Sequence, residues 1–323
     1  MSLFSVLLDF SMQKLKSKIV AFILSSVYCG SMFASAQHKA NDPHPETLRV
    51  MSYNTWYGFN ERNRHVKKDA PSAQEWVKGQ TPDVVALQEL VGWKPEQLKK
   101  LATGWDHPHS SLLKTSAFSV GLTSRWPIET IEKGMKGMHH GYLHAKTNGV
   151  HYFLVHLSPF KWEVRQREAK IIVEKIKPLL AKGEKVIVLG DFNAVSAEDS
   201  KWLESKKQGD FLEGKANTDN KHGHVQNLKD GKLDYEAMNI FFKAGLKDTA
   251  TGHLPETFET RLTSPTGIWS KTNKTAVKMG ERIDFILSTE NLYKTVTSCK
   301  IITKGDVNKI SDHYPVITDF GKK

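Results

Sequence analysis

Two short polar pairs are the first places in this chain where residue type and spacing could do chemistry. Val186-Ile187-Val188-Leu189-Gly190-Asp191-Phe192-Asn193-Ala194 is an apolar run that stops at a glycine and delivers a carboxylate and an amide. Asp312 and His313 stand side by side ahead of Tyr314-Pro315-Val316-Ile317. A carboxylate can orient or deprotonate a water, an amide can hold an anionic oxygen, and a histidine can carry a proton near neutral pH. Gly, Asp and Asn are also the ordinary residues of a turn after a buried strand, and Gly190-Asp191-Phe192-Asn193 taken alone reads first as that.

Four more polar residues occupy comparable places. Asn54 closes Leu48-Arg49-Val50-Met51-Ser52-Tyr53, Glu89 closes Val84-Val85-Ala86-Leu87-Gln88, and His156 closes His151-Tyr152-Phe153-Leu154-Val155. Asp284 interrupts the apolar alternation of Arg282-Ile283-Asp284-Phe285-Ile286-Leu287. A carboxylate so placed needs a partner, since an unpaired buried charge costs several kcal/mol. His313 offers one: Asp284 on one ring nitrogen would fix the tautomer and leave the other nitrogen to a substrate. Singly, Asn54 reads as a cap, Glu89 as a solvated strand end and His156 as a packed residue.

The elements that must position these groups are read from period and punctuation. Strands are expected over 48–54, 82–89, 118–124, 186–189, 282–287 and 311–320, with a hairpin of 142–146 and 151–156 about Asn148-Gly149. Helices are expected over 72–78, 94–103 and 239–246. A longer one spans 162–180, where Val164, Ile171, Ile172, Ile176 and Leu179 fall at helical spacing and Arg165 and Arg167 read as the solvated face. The polar stretch 199–235 reads as a long lysine-bearing loop, with His222 and His224 on its surface, and 254–270 as a further loop containing Trp269.

Taken together, Met51-Ser52-Tyr53-Asn54-Thr55-Trp56, Leu87-Gln88-Glu89, Val155-His156-Leu157, Gly190-Asp191-Phe192-Asn193, Arg282-Ile283-Asp284-Phe285 and Ser311-Asp312-His313 resemble, in order and separation, the endonuclease/exonuclease/phosphatase superfamily. The resemblance runs from Arg49 to Phe320. It implies an α/β fold, a four-layer α/β sandwich of two mixed β-sheets packed face to face and flanked by helices, with the 72–78 and 162–180 helices in the outer layers. It further implies hydrolysis of a phosphate ester with Mg²⁺, for which Mn²⁺ or Ca²⁺ could substitute. Glu89 would be the principal metal ligand, with Asn54 and Asp312 nearby, and oxygen ligands of this kind suit a hard cation. Asp191 or the Asp284 and His313 pair would orient the water, while Asn193, His156 and His313 would donate to phosphate oxygens.

The chain departs from the family pattern in one place. Many relatives have an arginine before the strand that leads to the catalytic histidine, and here stands His139-His140-Gly141-Tyr142, which leaves His140 as the candidate phosphate contact. The sequence also offers no evident acidic partner for His156. The pattern of the five-position inositol phosphatases, with tryptophan before Gly-Asp and a later Cys-Asp-Arg, does not match Leu189-Gly190-Asp191 or Arg282-Ile283-Asp284.

The totals set the frame. With 323 residues, 39% apolar and 25% charged, the composition is that of a folded domain and excludes a disordered chain. Lys14, Lys16 and Lys18 precede an apolar run from Ile19 to Val27, and Ala34-Ser35-Ala36 fits a processing site, so 1–36 reads as a signal peptide, begun at Met1 or Met12. Residues 37–47 then form an N-terminal tail and 48–323 the catalytic domain, exported to the periplasm or outside the cell. The formal net charge is +11, and removal of Lys14, Lys16, Lys18 and Asp9 leaves +9. Cys299 alone would remain of two cysteines, so no internal disulfide is available.

Excess positive charge, the lysines of 201–232 and the aromatic residues Trp56 and Trp269 suit a polyanion with stackable bases, although both tryptophans read equally as core. The expected protein is a monomeric, metal-dependent phosphodiesterase acting on nucleic acid, with no obligate protein partner. A sphingomyelinase-like phospholipid phosphodiesterase and a phosphatase of small phosphorylated molecules stand behind it. A noncatalytic binding protein on the same scaffold is the reading that six retained motifs oppose.

Overall fold

In the computed structural model, residues 47–59, 72–203, 209–255, 257, 260–268 and 280–321 are described. All of them fall in the unit Glu46–Lys323, into which the contacts divide the chain after Pro45. The expected signal peptide, and the tail apart from Thr47, lie outside the described residues, as does Trp269.

The strands are β1 (Thr47–Asn54), β2 (Val84–Gln88), β3 (His109–Leu112), β4 (Gly121–Ser124), β5 (Glu129–Gly134), β6 (Tyr142–Thr147), β7 (Val150–His156), β8 (Val186–Asp191), the short pair β9 (Leu228–Lys229) and β10 (Lys232–Leu233), β11 (Leu246–Asp248), β12 (Asp284–Thr289), β13 (Val296–Ile301) and β14 (Val316–Gly321). Twelve of them make two six-stranded mixed sheets, in the orders β13-β14-β1-β2-β4-β3 and β11-β12-β8-β7-β6-β5. β1 and β2 are parallel in the first, as are β7 and β8 in the second. The principal helices are α1 (Ala73–Gly79), α2 (Pro95–Thr103), α3 (Trp162–Ala181), α4 (Gly209–Lys221) and α5 (Glu236–Lys243).

The period-2 alternation of the central strands explains the layering. Tyr152 and Leu154 of β7, Ile187 and Leu189 of β8 and Ile286 of β12 pack with Met51, Tyr53, Val85 and Leu87 of the opposite sheet. Their neighbours Phe153, Val155, Val186, Val188, Phe285 and Leu287 pack beneath Ile172, Val173 and Ile176 of α3 and Ala237, Met238 and Phe241 of α5. Every residue of β2, β7, β8 and β12 is buried, which is why these segments read as continuous apolar runs. The fold is the expected four-layer α/β sandwich.

Several expectations are corrected. The 199–235 stretch is not one loop: it holds α4 and the β9–β10 hairpin, whose turn uses Asp230 and Gly231 at positive φ. α5 spans 236–243 rather than 239–246, because Gly245 at φ 94° ends it and Leu246 starts β11. Asp284 is the first residue of its strand and not an interior one. Arg165 is only 4% exposed and belongs to the buried face of α3, whereas Arg167 is exposed as expected. Trp56 is core, at 6% exposure. The hairpin turn at Asn148-Gly149 has φ of 47° and 71°, the left-handed pair that this dipeptide favours.

Candidate active site

Register brings the motifs together. On β7, β8 and β12, His156 pairs with Asp191 and Asp191 with Asp284, so three candidate groups stand in one row across neighbouring strands. On the other sheet Asn54 pairs with Gln88, which puts Asn54 and Glu89 at one mouth. β14 runs antiparallel to β1, so Asp312 and His313, just ahead of its start, return to that mouth, where Ser311 Oγ donates to the Asn54 carbonyl at 2.7 Å. Gly190 makes the row possible in a different way from a turn. It lies within β8, and a Cβ there would sit 2.0 Å from the Val155 carbonyl oxygen, so only glycine lets the two strands pair this closely.

One wall of the mouth is built on the Asp284 and His313 pair and on Asp191. His313 Nδ1 lies 2.8 Å from Asp284 Oδ2, and its Nε2 lies 3.9 Å from Asp191 Oδ2. Asp191 accepts from the Asn193 backbone N–H at 2.8 Å and from Asn54 Nδ2 at 3.0 Å. Thr263 Oγ1 accepts the backbone N–H groups of Ile283 and Asp284, at 2.9 and 3.1 Å, which fixes the start of β12. Arg282, buried between Asp199 and Asp248 at 2.7 and 2.6 Å, holds the preceding turn. Burial pushes the Asp191 carboxyl well above the usual range, and Asp284 pushes it the same way. Burial alone would lower His313, but the Asp284 carboxylate on Nδ1 outweighs it and raises the imidazolium pKa well above 6.5.

Glu89 and Asn193 have left-handed backbones, at φ 60° and 48°. So have Trp56, Tyr57, Gly58 and Phe59 in the turn after Asn54, where Gly58 is needed because a Cβ would strike the Trp93 ring at 2.2 Å. Side-chain-bearing residues in this region cost about 1–2 kcal/mol each, and such strain gathers where geometry is needed for function. Glu89 accepts from Asn54 Nδ2 at 3.2 Å, and Asn54 Oδ1 accepts the Trp56 N–H at 3.1 Å. Burial raises the Glu89 carboxyl, and the Asp312 carboxylate raises it further.

The other wall is made of histidines. His156 Nε2 lies 3.6 Å from Asp191 Oδ2, and its buried Nδ1 has no hydrogen-bond partner among the described residues. His140 stacks on His156, with ring centroids 4.2 Å apart and planes at 21°. Phe118 meets both rings, and Lys114 Nζ donates to the His140 carbonyl at 2.6 Å. Burial, then His140, holds His156 well below 6.5, and burial, then His139, holds His140 down at about 3, so both rings are neutral near pH 7. Glu168 of α3, fully buried, fastens this wall from behind by accepting the backbone N–H groups of His139 and Ser158. Arg165 Nη1 donates to the Ser158 carbonyl at 3.2 Å.

The model of the Endonuclease/Exonuclease/phosphatase family matches residues 51–313. The chain belongs to that family. Its members hydrolyse phosphoester bonds and typically use a divalent metal. No curated protein sequence matches the chain. Among solved structures it is similar to an AP endonuclease from Archaeoglobus fulgidus, at 17% identity and a TM-score of 0.59 over 84% of this chain and 99% of that one. It is also similar to the 3′ phosphatase NExo from Neisseria bound to a product DNA hairpin, at 16% identity and a TM-score of 0.61 over 85% and 100%. A humanized D. rerio TDP2 matches at 20% identity and a TM-score of 0.55 over 86% and 100%. At these identities the likeness shows the fold.

Within this family fold, two groups of side chains could hold a metal. Asp312 is near enough for its carboxylate to raise that of Glu89, with Asn54 bonded to Glu89, and neighbouring carboxylates of this kind fit a hard divalent cation. Asp191, Asp284 and His313 form a second buried group with one ligand atom each inside 4.8 Å. There the 2.8 Å bond joins His313 to Asp284 Oδ2, while Asp284 Oδ1 has no hydrogen-bond partner among the described residues; an ion there would compete with His313 for the pair, and the two carboxylates on the Glu89 side are the better fit. Of the sequence candidates, Asn54, Glu89, His156, Asp191, Asn193, Asp284, Asp312 and His313 share the mouth, and His140 joins through His156. His222 and His224 are exposed, as expected. Sequence reasoning missed Thr263, Phe118, Arg165 and Glu168. For the last two the available signal was an arginine and a glutamate at i and i+3 on a helix that follows the Leu157-Ser158-Pro159 loop.

Proposed function

We propose that the protein is an exported, monomeric, divalent-metal-dependent phosphodiesterase whose substrate is nucleic acid. The observation that carries the reaction type is the buried cluster in which Asp191 lies in register between His156 and Asp284 while His313 is bonded to Asp284. Four groups able to hold or move a proton thus converge beside the Glu89 carboxylate, as hydrolysis of a phosphate ester requires.

The roles follow from the bonds. Asp191, with its two oxygens fixed by Asn193 and Asn54, orients the attacking water and accepts its proton. His313, protonated through its pairing with Asp284, directs its Nε2 proton at a phosphate oxygen. His156 is neutral and donates from Nε2 without adding charge. Asn193 has its amide nitrogen turned to the Leu157 carbonyl at 3.0 Å, so it holds the backbone beside His156, with His140 stacked behind. A divalent cation held by Glu89 and Asp312, with Asn54 beside them, supplies compensation for charge on the phosphate or the leaving oxygen; Mg²⁺ suits these ligands, and Mn²⁺ or Ca²⁺ are the alternatives.

A formal net charge of +11 supports a polyanionic substrate. Two structural neighbours are a DNA-bound 3′ phosphatase and an AP endonuclease by their own descriptions. Among the described residues the large apolar side chains that stand out are Tyr57, Ile131 and Met135, and no helix is long and apolar enough to cross a membrane. The lipid alternative has less to rest on.

The test is one purified sample assayed with Mg²⁺, Mn²⁺ or EDTA against single- and double-stranded DNA, RNA, sphingomyelin and bis(p-nitrophenyl) phosphate. Cleavage of nucleic acid that EDTA abolishes is the expected result. Full turnover in EDTA refutes the metal, and hydrolysis of sphingomyelin alone refutes the nuclease. Export is checked by N-terminal sequencing of protein recovered outside the cytoplasm, with Gln37 as the expected first residue.

A further inference from the structure

Next to the histidine wall lies a second cavity that the reaction itself does not use. It is a pocket of about 440 Å³ whose lining includes His139, Ser158, Phe160, Lys161, Arg167 and His224. That volume lies within the range of small-molecule sites. The lining contains no carboxylate, and Arg167 is exposed and makes no ion pair among the described residues.

The pocket connects to the reaction centre through rings. His140 stacks on His156, His139 meets His140 at 4.3 Å, Phe160 meets His139 at 5.1 Å, and His224 meets Phe160 at 5.3 Å. The same elements tie the far side down: Gln226 N–H donates to the Phe160 carbonyl at 2.8 Å, and Trp162 N–H donates to the Gln226 carbonyl at 3.0 Å. A continuous line of aromatic edges and faces therefore leads from His156 into a cationic recess. Aromatic rings beside cationic side chains are the pattern by which proteins hold unstacked nucleotides, with stacking worth about 1–3 kcal/mol per base.

Resting on the phosphodiesterase reading above, we propose that this pocket is a subsite for the nucleotide next to the scissile phosphate. Lys161 and Arg167 take its phosphate, and Phe160 and His224 take its base. The substrate is then a strand with unstacked bases, since a base held in a paired duplex could not enter the recess.

The experiment compares wild type with Arg167→Gln, His224→Ala and the double variant, all at exposed positions. Each is assayed on bis(p-nitrophenyl) phosphate, a dinucleotide and a single-stranded oligonucleotide over a salt series. The double variant is expected to lose about tenfold or more kcat/KM on the oligonucleotide beyond whatever it loses on the minimal diester. Arg167→Gln is expected to flatten the salt slope by about 0.7, the value of one single-strand phosphate contact. Equal losses on the oligonucleotide and the minimal diester, with nucleic acid still cleaved by wild type, overturn the subsite and leave the nuclease reading standing. Wild type that cleaves no nucleic acid overturns both.

Discussion

His313 and His156 approach the same oxygen, Asp191 Oδ2, at 3.9 and 3.6 Å, yet their charges are set in opposite directions. Both rings are buried, and burial disfavours the charged form of each. What separates them is the other ring nitrogen. His313 Nδ1 has Asp284 at 2.8 Å, whereas His156 Nδ1 has no hydrogen-bond partner among the described residues and has His140 stacked alongside its ring. One carboxylate behind a ring decides whether that histidine brings a proton or a neutral donor to the same place.

The sharpest way to break the contrast is Asp284→Asn. Losing its carboxylate partner, His313 should become neutral like His156, and kcat/KM should fall by about 10³-fold or more, by analogy with loss of an orienting aspartate behind a histidine base. A wild-type rate would mean that the pair is structural. His156→Ala should cost less, about 10²-fold, at the low end of what a positioned proton donor contributes. A larger loss than in Asp284→Asn would reverse the ranking of the two walls.

Glu168→Gln tests the histidine wall from behind. An amide can accept only one of the two backbone N–H groups that the carboxylate now holds. Stability should fall by about 1–3 kcal/mol, seen as a lower Tm. Glu168 acts by positioning, so kcat should fall on every phosphodiester, while Asp284→Asn should leave Tm less affected. An unchanged Tm together with an unchanged kcat would remove Glu168 from the site.

The smallest effect concerns pH. His140 is held down at about 3 by burial, then by His139 and Lys114, against an ordinary value of 6.5. Its unfolded form binds a proton more readily than its folded form, so its contribution is fully present above about pH 6.5 and is lost as pH falls toward 3. His140→Gln should therefore lose less Tm than wild type between pH 6.5 and 4.5. Parallel curves for the two proteins would show that His140 does not titrate in this way.

Much of the site is legible in the sequence because its residues terminate apolar runs, and a buried run names its own end. His156 and Asp191 are two such ends, whereas Asp284 opens its strand, and its place in the same row comes from the antiparallel register of β12 on β8. What cannot be read comes from contacts across long separations. Arg165 reads as solvated because arginine usually is, but the Ser158 carbonyl and the carboxylates Glu281, Asp234 and Glu168 around it make burial tolerable. Thr263 lies in a loop with no pattern, and only its bonds to Ile283 and Asp284 reveal its place. α4 escapes detection because GDFLEGKANTDNK carries Gly214, Asn217, Asp219 and Asn220 as interior turn-formers and has little apolar periodicity, so tertiary contacts such as Asp219 to the Asn227 and Leu228 backbone decide it. The acid facing His156 is Asp191, which lies on the next strand and which the sequence motif points toward the water instead.

The left-handed residues at the mouth carry a consequence for protein engineering. Glu89, Trp56, Tyr57 and Phe59 all sit at positive φ, where glycine would relax the backbone. At Trp56 and Phe59 the packed ring outweighs that relief, so a search for heat-tolerant variants would be drawn to Glu89, where a gain would remove the carboxylate beside Asp312. Robustness and turnover therefore compete at that residue, and a hardened form of this protein is best sought in its outer layers.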